Sequence, residues 1–179
     1  MIDARSIPRD ETIETDVCIV GAGTAGIILA RELIGEKFRV CLLESGGIKP
    51  DRETQSLCQG DNIGYPYFPL YTARARYFGG TSNRWHIHLS NDCLAARMRP
   101  LDEIDFEERK WLPYSGWPFK KSELQPFYER AESICRITPS TYQVSNWAHP
   151  RKTPPIYFQN DRVETVIVKF ACSDHFVRD

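Results

Sequence analysis

A glycine-rich turn between a predicted strand and a predicted helix constrains this chain more than any other feature. Residues 16–20 (D-V-C-I-V) form a short run that is apolar after its first residue, as expected for a buried parallel strand. Residues 21–26 (G-A-G-T-A-G) follow at once, and apolar residues then recur at helical spacing to about Gly35. A second mostly apolar run covers residues 38–43, so the sequence predicts a βαβ unit.

In this position the G-x-G-x-x-G motif is typical of dinucleotide-binding proteins. Gly21 permits the tight turn out of the strand, and Gly23 leaves the backbone open to a pyrophosphate. Gly26 lets the helix pack closely on the strand. The N–H groups and the positive dipole end of the helix then face the phosphates.

Glu44 ends the second predicted strand, about 20 residues beyond the glycines, where an acidic side chain accepts hydrogen bonds from ribose hydroxyls. Its charge would repel a 2′-phosphate, so a cofactor of the NADP type is disfavoured. FAD and NAD share an ADP half, and this motif does not distinguish them. The structural alternative is a glycine-rich turn with a surface carboxylate.

A second glycine motif covers residues 76–86 (R-Y-F-G-G-T-S-N-R-W-H). Two adjacent glycines, followed by small hydrogen-bonding residues and flanked by aromatic ones, suit a backbone that approaches a planar polar ring closely. A surface loop with a Gly-Gly turn explains the same residues equally well.

Taken together, the segments D-V-C-I-V-G-A-G-T-A-G, L-L-E-S-G-G and R-Y-F-G-G-T-S-N-R-W resemble the glucose–methanol–choline (GMC) family of FAD-dependent oxidoreductases. Residues 101–118 and 122–131 also resemble that family, especially its bacterial carbohydrate-oxidising branch. The resemblance implies an α/β fold with a Rossmann-like FAD-binding βαβ domain. That domain would be incomplete and occupy residues 1–150, and residues 151–179 would start a truncated substrate-binding domain.

The resemblance also implies an activity, namely oxidation of a CH–OH group of an alcohol or sugar by hydride transfer to flavin N5. The histidine and asparagine residues that assist deprotonation in the C-terminal part of the family have no counterpart in this sequence. We therefore expect an N-terminal fragment that supplies FAD-binding elements only and is inactive alone. No catalytic residue is predicted, and the electron acceptor is left open.

The cofactor-binding residues that the resemblance implies form three groups, which face the pyrophosphate, hold the adenosine ribose and line the flavin. They are, in that order, Gly21, Gly23, Thr24, Ala25 and Gly26; Glu44 and Ser45; and Gly80, Thr81, Ser82, Asn83, Trp85 and His86. In the pyranose-oxidase-like branch, a histidine bonded covalently to the flavin precedes the tryptophan. Arg84 stands at that position here and cannot make the bond, so the FAD is expected to be non-covalent.

Two other interpretations remain open. An NAD-dependent Rossmann dehydrogenase explains the first glycine motif but leaves residues 79–85 unexplained. A truncated, non-catalytic product is the other alternative.

The charge balance bears on the partners. Lys and Arg number 23 against 24 Asp and Glu, which argues against a nucleic-acid or anionic-membrane binder. The longest mainly apolar uncharged stretch, residues 17–30, is shorter than the roughly 20 residues of a transmembrane helix. Acidic residues precede it, unlike the positive start of a signal peptide. We therefore expect a cytoplasmic protein with a small-molecule substrate and no membrane segment.

The cysteines and histidines predict no metal site. The six cysteines are scattered, without a C-x-x-C pair. Their even number allows a disulfide framework, but the chain is neither short nor evidently secreted, which disfavours one. His86 and His88 share a face if they lie in a strand, yet no third ligand is near them in sequence.

Overall fold

A computed structural model describes the chain in six stretches. They are residues 1–90, 93–137, 141–147, 156, 158–159 and 162–172. The fold is mixed α/β, with one parallel two-stranded sheet and one antiparallel three-stranded sheet. The chain divides into two compact units, Met1–Arg84 and Trp85–Asp179. The predicted domain boundary between residues 150 and 151 lies outside the described residues and stays a prediction.

The first unit contains the predicted βαβ arrangement. Strand β1 (Val17–Val20) pairs in parallel with β2 (Val40–Leu43), and helix α1 (Thr24–Glu32) connects them. The helix therefore ends three residues before the predicted end at Gly35, which adopts a φ of 85°. A positive φ is incompatible with a continuing right-handed helix, and glycine accepts it at little cost.

Among the described residues, helix α1 covers one face of the parallel sheet, and nothing covers the other face. Ile19 is 6% exposed and lies near Gly26 of α1, whereas its neighbour Val20 is 82% exposed. Successive side chains of a strand point to opposite faces. The prediction of a strand buried on both sides is therefore wrong for the face that carries Cys18 and Val20, since no described element packs on it.

As the alternation of glycine, proline and tyrosine with charged residues predicts for residues 46–77, the remainder of the first unit is mostly loop with short helical turns. These are 3-10 helices at Ala4–Ser6 and Gly80–Arg84, and helices α2 (Arg52–Ser56) and α3 (Leu70–Ala73). Gln55 connects two of these segments. Its Nε2 donates to the carbonyl oxygens of Tyr71 and Arg74 at 2.8 Å each, and its Oε1 accepts from the Arg76 N–H at 3.0 Å. One side chain of α2 thus orients the chain just before the second glycine motif.

The second unit is built on the antiparallel sheet. Its strands are β3 (His86–Ser90), β4 (Cys93–Met98) and β5 (Lys169–Cys172), in the order β3-β4-β5. Residues 163–170 are rich in β-branched residues, which predicts a strand, but residues 163–168 are not in a strand. Pairing with β4 determines where β5 begins, because its ladder starts where Lys169 lies opposite Met98.

The helices of the second unit are α4 (Glu103–Phe106), α5 (Lys121–Ile134) and α6 (Val144–Trp147). Ser122, with Gln125 three residues later, predicts a capping box for α5, and Pro126 predicts an alternative start. The helix instead starts after Lys120, whose backbone N–H donates to Glu123 Oε1 at 2.9 Å. Pro126 lies inside the helix and removes one backbone hydrogen bond there.

Small side chains and one aromatic cluster form the core of the second unit. Ala95, Ala96 and Ala171 are buried in the sheet. Buried Phe106 has ring centroids 6.3 Å from Trp117 and 6.2 Å from Phe119. None of the helices in the described part of the chain is long and apolar enough to cross a membrane.

Candidate functional site

The first glycine loop joins the end of β1 to the start of α1. Gly21 has a φ of 99°, and its N–H donates to the carbonyl oxygen of Leu43 at 2.7 Å. Gly23 is the N-cap of α1, and no side chain caps this helix. The first N–H groups of a helix have no carbonyl partner within it, so α1 presents free donors at the loop.

The three glycines of this loop have different surroundings. A Cβ added to Gly21 or Gly23 would meet no atom within 4 Å, so open space adjoins both residues. A Cβ on Gly26 would overlap the carbonyl oxygen of Gly21 and lie 3.3 Å from Cγ2 of Ile19. The close packing of helix on strand that the motif predicts at Gly26 is therefore present.

The second glycine motif lies directly against the first. The Gly79 N–H donates to the carbonyl oxygen of Ala22 at 2.8 Å, and Gly23 and Gly79 form an isolated parallel β-bridge. Gly80, at a φ of 58°, would place a Cβ 3.1 Å from Cα of Gly23. Two loops far apart in sequence thus approach so closely that side chains there would be strained or crowded.

The segment after β2 supports this contact from the other side. The Phe78 N–H donates to the carbonyl oxygen of Gly47 at 2.9 Å. A Cβ on Gly46 would overlap the carbonyl oxygen of Arg76, so only glycine allows the two backbones to approach this closely. The L-L-E-S-G-G segment and the second motif are therefore packed backbone to backbone.

Glu44 lies at the centre of these backbone contacts. Its Oε2 accepts from the Ala22 N–H at 2.8 Å, and its Oε1 accepts from the Gly46 N–H at 2.9 Å. Partial burial raises the pKa of Glu44, but the hydrogen bonds from Gly46, Ala22 and Ser45 outweigh it and leave the pKa below its ordinary value. Because each carboxylate oxygen has two lone pairs, Oε2 of Glu44 can still accept one further hydrogen bond.

Ser45 and Arg76 meet beside Glu44. The exposed Ser45 hydroxyl donates to Glu44 Oε1 at 3.3 Å and accepts from Arg76 Nη1 at 3.2 Å. Arg76 Nε is buried and has no hydrogen-bond partner in the described residues. Arg76 is not among the predicted site residues, and the signal for it in the sequence is its position at the start of the second glycine motif.

The polar residues of the second motif shape their own loop. Ser82 Oγ donates to the carbonyl oxygen of Gly79 at 2.6 Å, and Asn83 Nδ2 donates to the carbonyl oxygens of Phe78 and Gly80 at 2.9 Å each. Thr81 Oγ1 accepts from the Ala75 N–H at 3.4 Å. These bonds fix the shape of the Gly-Gly turn, and the Gly79 N–H bond to Ala22 joins it to the first loop.

The structure brings most of the predicted site residues together in the first unit. This group extends from Gly21 to Asn83, with Thr24 and Ala25 exposed in the first turn of α1. Trp85, which is 48% exposed, and His86, which begins β3, belong to the second unit. In the described part of the chain, no group of His, Cys, Asp and Glu side chains could hold a metal ion.

The second unit contains a buried charged cluster that no sequence motif marks. Lys169 Nζ lies 3.6 Å from Glu132 Oε1 and 3.9 Å from the ring centroid of Tyr142, and both charged residues are buried. Burial and a hydrogen bond to Glu132 raise the pKa of Tyr142. Glu132 and Tyr142 also line a cavity of about 510 Å³. The signal in the sequence is Lys169 itself, which interrupts a mostly apolar run.

Comparisons of this chain with protein-family models, with curated proteins and with solved structures find no match. The chemistry of the site therefore follows from its own geometry. Two glycine-lined backbones, free helical N–H groups and an ionised carboxylate lie side by side. This arrangement can accept an anionic group at the helix and a hydroxyl group at the carboxylate.

Proposed function

We propose that this chain supplies the FAD-binding elements of an oxidoreductase that acts on the CH–OH group of an alcohol or a sugar. The observation that carries the proposal is the contact of the two glycine loops, Gly23 against Gly79, at the start of α1. The first loop accounts only for the pyrophosphate that NAD and FAD share. The second loop, in direct contact with it, supports a cofactor whose other half lies beside Gly79 and Gly80, as the resemblance to FAD-dependent oxidoreductases implies.

The first loop fits the pyrophosphate of such a cofactor. Open space adjoins Gly21 and Gly23, so a phosphate can approach the backbone without meeting a side chain. Thr24 and Ala25 begin a helix without a side-chain cap, and their N–H groups are available as donors to an anion. No basic side chain is required for this binding, since the helix terminus itself favours negative charge.

Glu44 fits the ribose of the adenosine. It is ionised at neutral pH because its pKa lies below the ordinary value, and backbone N–H groups hold each oxygen in place. One lone pair, on Oε2, remains to accept from a ribose hydroxyl. Ser45 lies beside it, with its hydroxyl shared between Glu44 and Arg76.

The second loop would lie along the isoalloxazine ring. The Cβ positions of Gly79 and Gly80 are filled by Asn83 and Gly23, so the ring would contact the outer edge of this turn, whose shape Ser82 and Asn83 hold. The flavin supplies the chemistry, accepting a hydride from the alcohol carbon at N5. Arg84, at the end of the 3-10 helix, cannot bond covalently to it. We assign no residue of this chain as catalytic base.

Binding of the cofactor tests the proposal directly. The purified chain is titrated with FAD and, separately, with NAD by calorimetry. We expect FAD to bind at least about tenfold more tightly, which corresponds to about 1.4 kcal/mol. Tighter binding of NAD would favour the dehydrogenase alternative. A chain that is folded by circular dichroism yet binds neither would contradict a dinucleotide site altogether.

Gly23→Ser provides the most informative variant. Its side chain would enter the open space beside Gly23, and serine is a favourable N-cap that accepts from the free helical N–H groups. We therefore expect α1 to be as stable as before or more so, while FAD binds at least about tenfold more weakly. Gly47→Ser is the matched control, because a Cβ there comes no closer than 3.7 Å to another atom.

A further inference from the structure

We propose that Cys93 and Cys172 form a reversible disulfide that joins β4 to β5. The two Sγ atoms are 2.8 Å apart, and both residues are half-buried. A disulfide bond is about 2.05 Å long, so the sulfur atoms need to move by less than about 1 Å to bond. The inference is independent of the proposed function, because it concerns the second unit only.

The register of the antiparallel sheet explains the approach of the two thiols. Cys172 lies opposite Ala95, so Cys93 is two residues along β4 from the position that faces it. Residues two apart in a strand share one face of the sheet. The two cysteines are therefore diagonal neighbours on the same face, where longer side chains are within reach of each other.

Among the six cysteines, the fold brings the sulfur atoms of Cys93 and Cys172 into contact. Cys18 and Cys41 lie opposite each other in the parallel register of β1 and β2, yet their sulfur atoms make no contact. Cys58 and Cys135 have no sulfur neighbour either, and all six cysteines are among the described residues. A disulfide framework is disfavoured on the sequence because the chain is neither short nor evidently secreted, whereas the sheet brings together two cysteines that are 79 positions apart.

The oxidant that we infer is a small disulfide of the glutathione type. The thiolate of one cysteine attacks it, forms a mixed disulfide and releases one glutathione thiolate, which takes up a proton. The second protein thiolate attacks the mixed disulfide and releases the second glutathione. In total, the two protein thiols become one disulfide, and the two electrons and two protons that they lose convert one oxidised glutathione into two reduced ones.

Peptide mapping of the whole chain tests this bond. The protein is incubated with oxidised glutathione, alkylated with iodoacetamide and digested with trypsin without reduction. Trypsin releases residues 85–97 and 170–178, each with a single cysteine. We expect these two peptides as one linked species, about 2 Da lighter than their sum because two thiol protons have left. Reduction with dithiothreitol should separate them.

Three controls keep the result interpretable. The first control repeats the oxidation in urea at about 8 M, a concentration that unfolds the sheet. The preference for the Cys93–Cys172 pair should then disappear. The Cys18→Ser/Cys41→Ser double variant should retain the linked peptide. Cys93→Ser and Cys172→Ser should each lose it, together with any increase in thermal midpoint that oxidation gives the parent chain.

Two outcomes would overturn the proposal. One is recovery of both peptides as separate alkylated species after oxidation of the folded chain. The other is linkage of Cys93 and Cys172 to the remaining cysteines in the same proportions as in urea.

Discussion

Gly79 donates its backbone N–H to the carbonyl oxygen of Ala22 at 2.8 Å. This hydrogen bond joins the turn that leaves β1 to the loop that carries the second glycine motif. Glu44 accepts from the N–H of the same Ala22, so both backbone groups of one buried residue are engaged. The candidate site is thus arranged around Ala22, which is 1% exposed.

Substitution of Gly80 should loosen the contact between the two loops. An alanine would have to adopt a φ of 58° and place its Cβ 3.1 Å from Cα of Gly23. The left-handed conformation alone costs roughly 1–2 kcal/mol for a residue with a Cβ. In hydrogen exchange with mass spectrometry, Gly80→Ala should reduce the protection of residues 74–84, whereas Gly47→Ala should not. Equal protection in both variants would show that the contact does not depend on glycine.

Gly26→Ala should destabilise the first unit more than any other single added methyl in the loop. The new Cβ would overlap the carbonyl oxygen of Gly21, so α1 must move away from β1. Overpacking of this kind costs about 1–3 kcal/mol. Urea unfolding followed by circular dichroism measures it, with Gly23→Ala as the comparison because its Cβ enters open space. A smaller loss for Gly26→Ala than for Gly23→Ala would contradict the packing described.

Glu44 should make the stability of the first unit dependent on pH. Its pKa in the folded chain is lowered from 4.5, so its contribution is present above that value and is lost as pH falls through the lower folded pKa. Glu44→Gln should flatten this acid-side loss. It also turns an amide N–H₂ towards one backbone donor and costs about 1–3 kcal/mol at neutral pH.

Hydrogen exchange of residues 17–46, corrected for the intrinsic exchange rate at each pH, measures this effect from about pH 7 to about pH 2, a range that includes the ordinary and the lowered pKa of the carboxyl. Glu36→Gln is the matched control, since Glu36 is exposed on the same unit. An identical acid dependence in the parent chain and in Glu44→Gln would refute the role of the carboxylate.

The buried pair Glu132–Lys169 predicts strong non-additivity in the second unit. Removal of one buried charge leaves the other poorly compensated and typically costs about 3–5 kcal/mol. Lys169→Met and Glu132→Leu should each destabilise, while the double variant should recover most of the loss. Tryptophan fluorescence in urea reports this, because all four tryptophans lie within Trp85–Asp179. Additive losses would exclude a coupling between the two residues.

Local patterns predicted the βαβ unit well. Its strands are apolar runs, and its helix has apolar residues at helical spacing. A glycine is needed at position 26 because α1 lies so close to β1 there. These features depend on neighbours within about 25 residues, which a reader of the sequence can see. The exposed face of β1 was missed, because an apolar run does not show whether anything covers it.

The second unit was harder to predict. Strand β4 depends on pairing with both neighbouring strands, and β5 begins where its pairing with β4 begins. The start of α5 depends on the Glu123 side chain, which accepts from the Lys120 N–H. Strand limits in particular follow from the register of pairing rather than from composition.

The sequence by itself determined a parallel βαβ unit, the glycines that its turn needs and an acidic residue at the end of its second strand. Only the tertiary structure decided that the two glycine loops touch at Gly23 and Gly79, that Glu44 is held by backbone N–H groups, and that Cys93 meets Cys172. Local conformation is encoded in short-range spacing and backbone preferences. Contacts between distant segments depend on how the chain packs, and no short stretch of sequence contains that information.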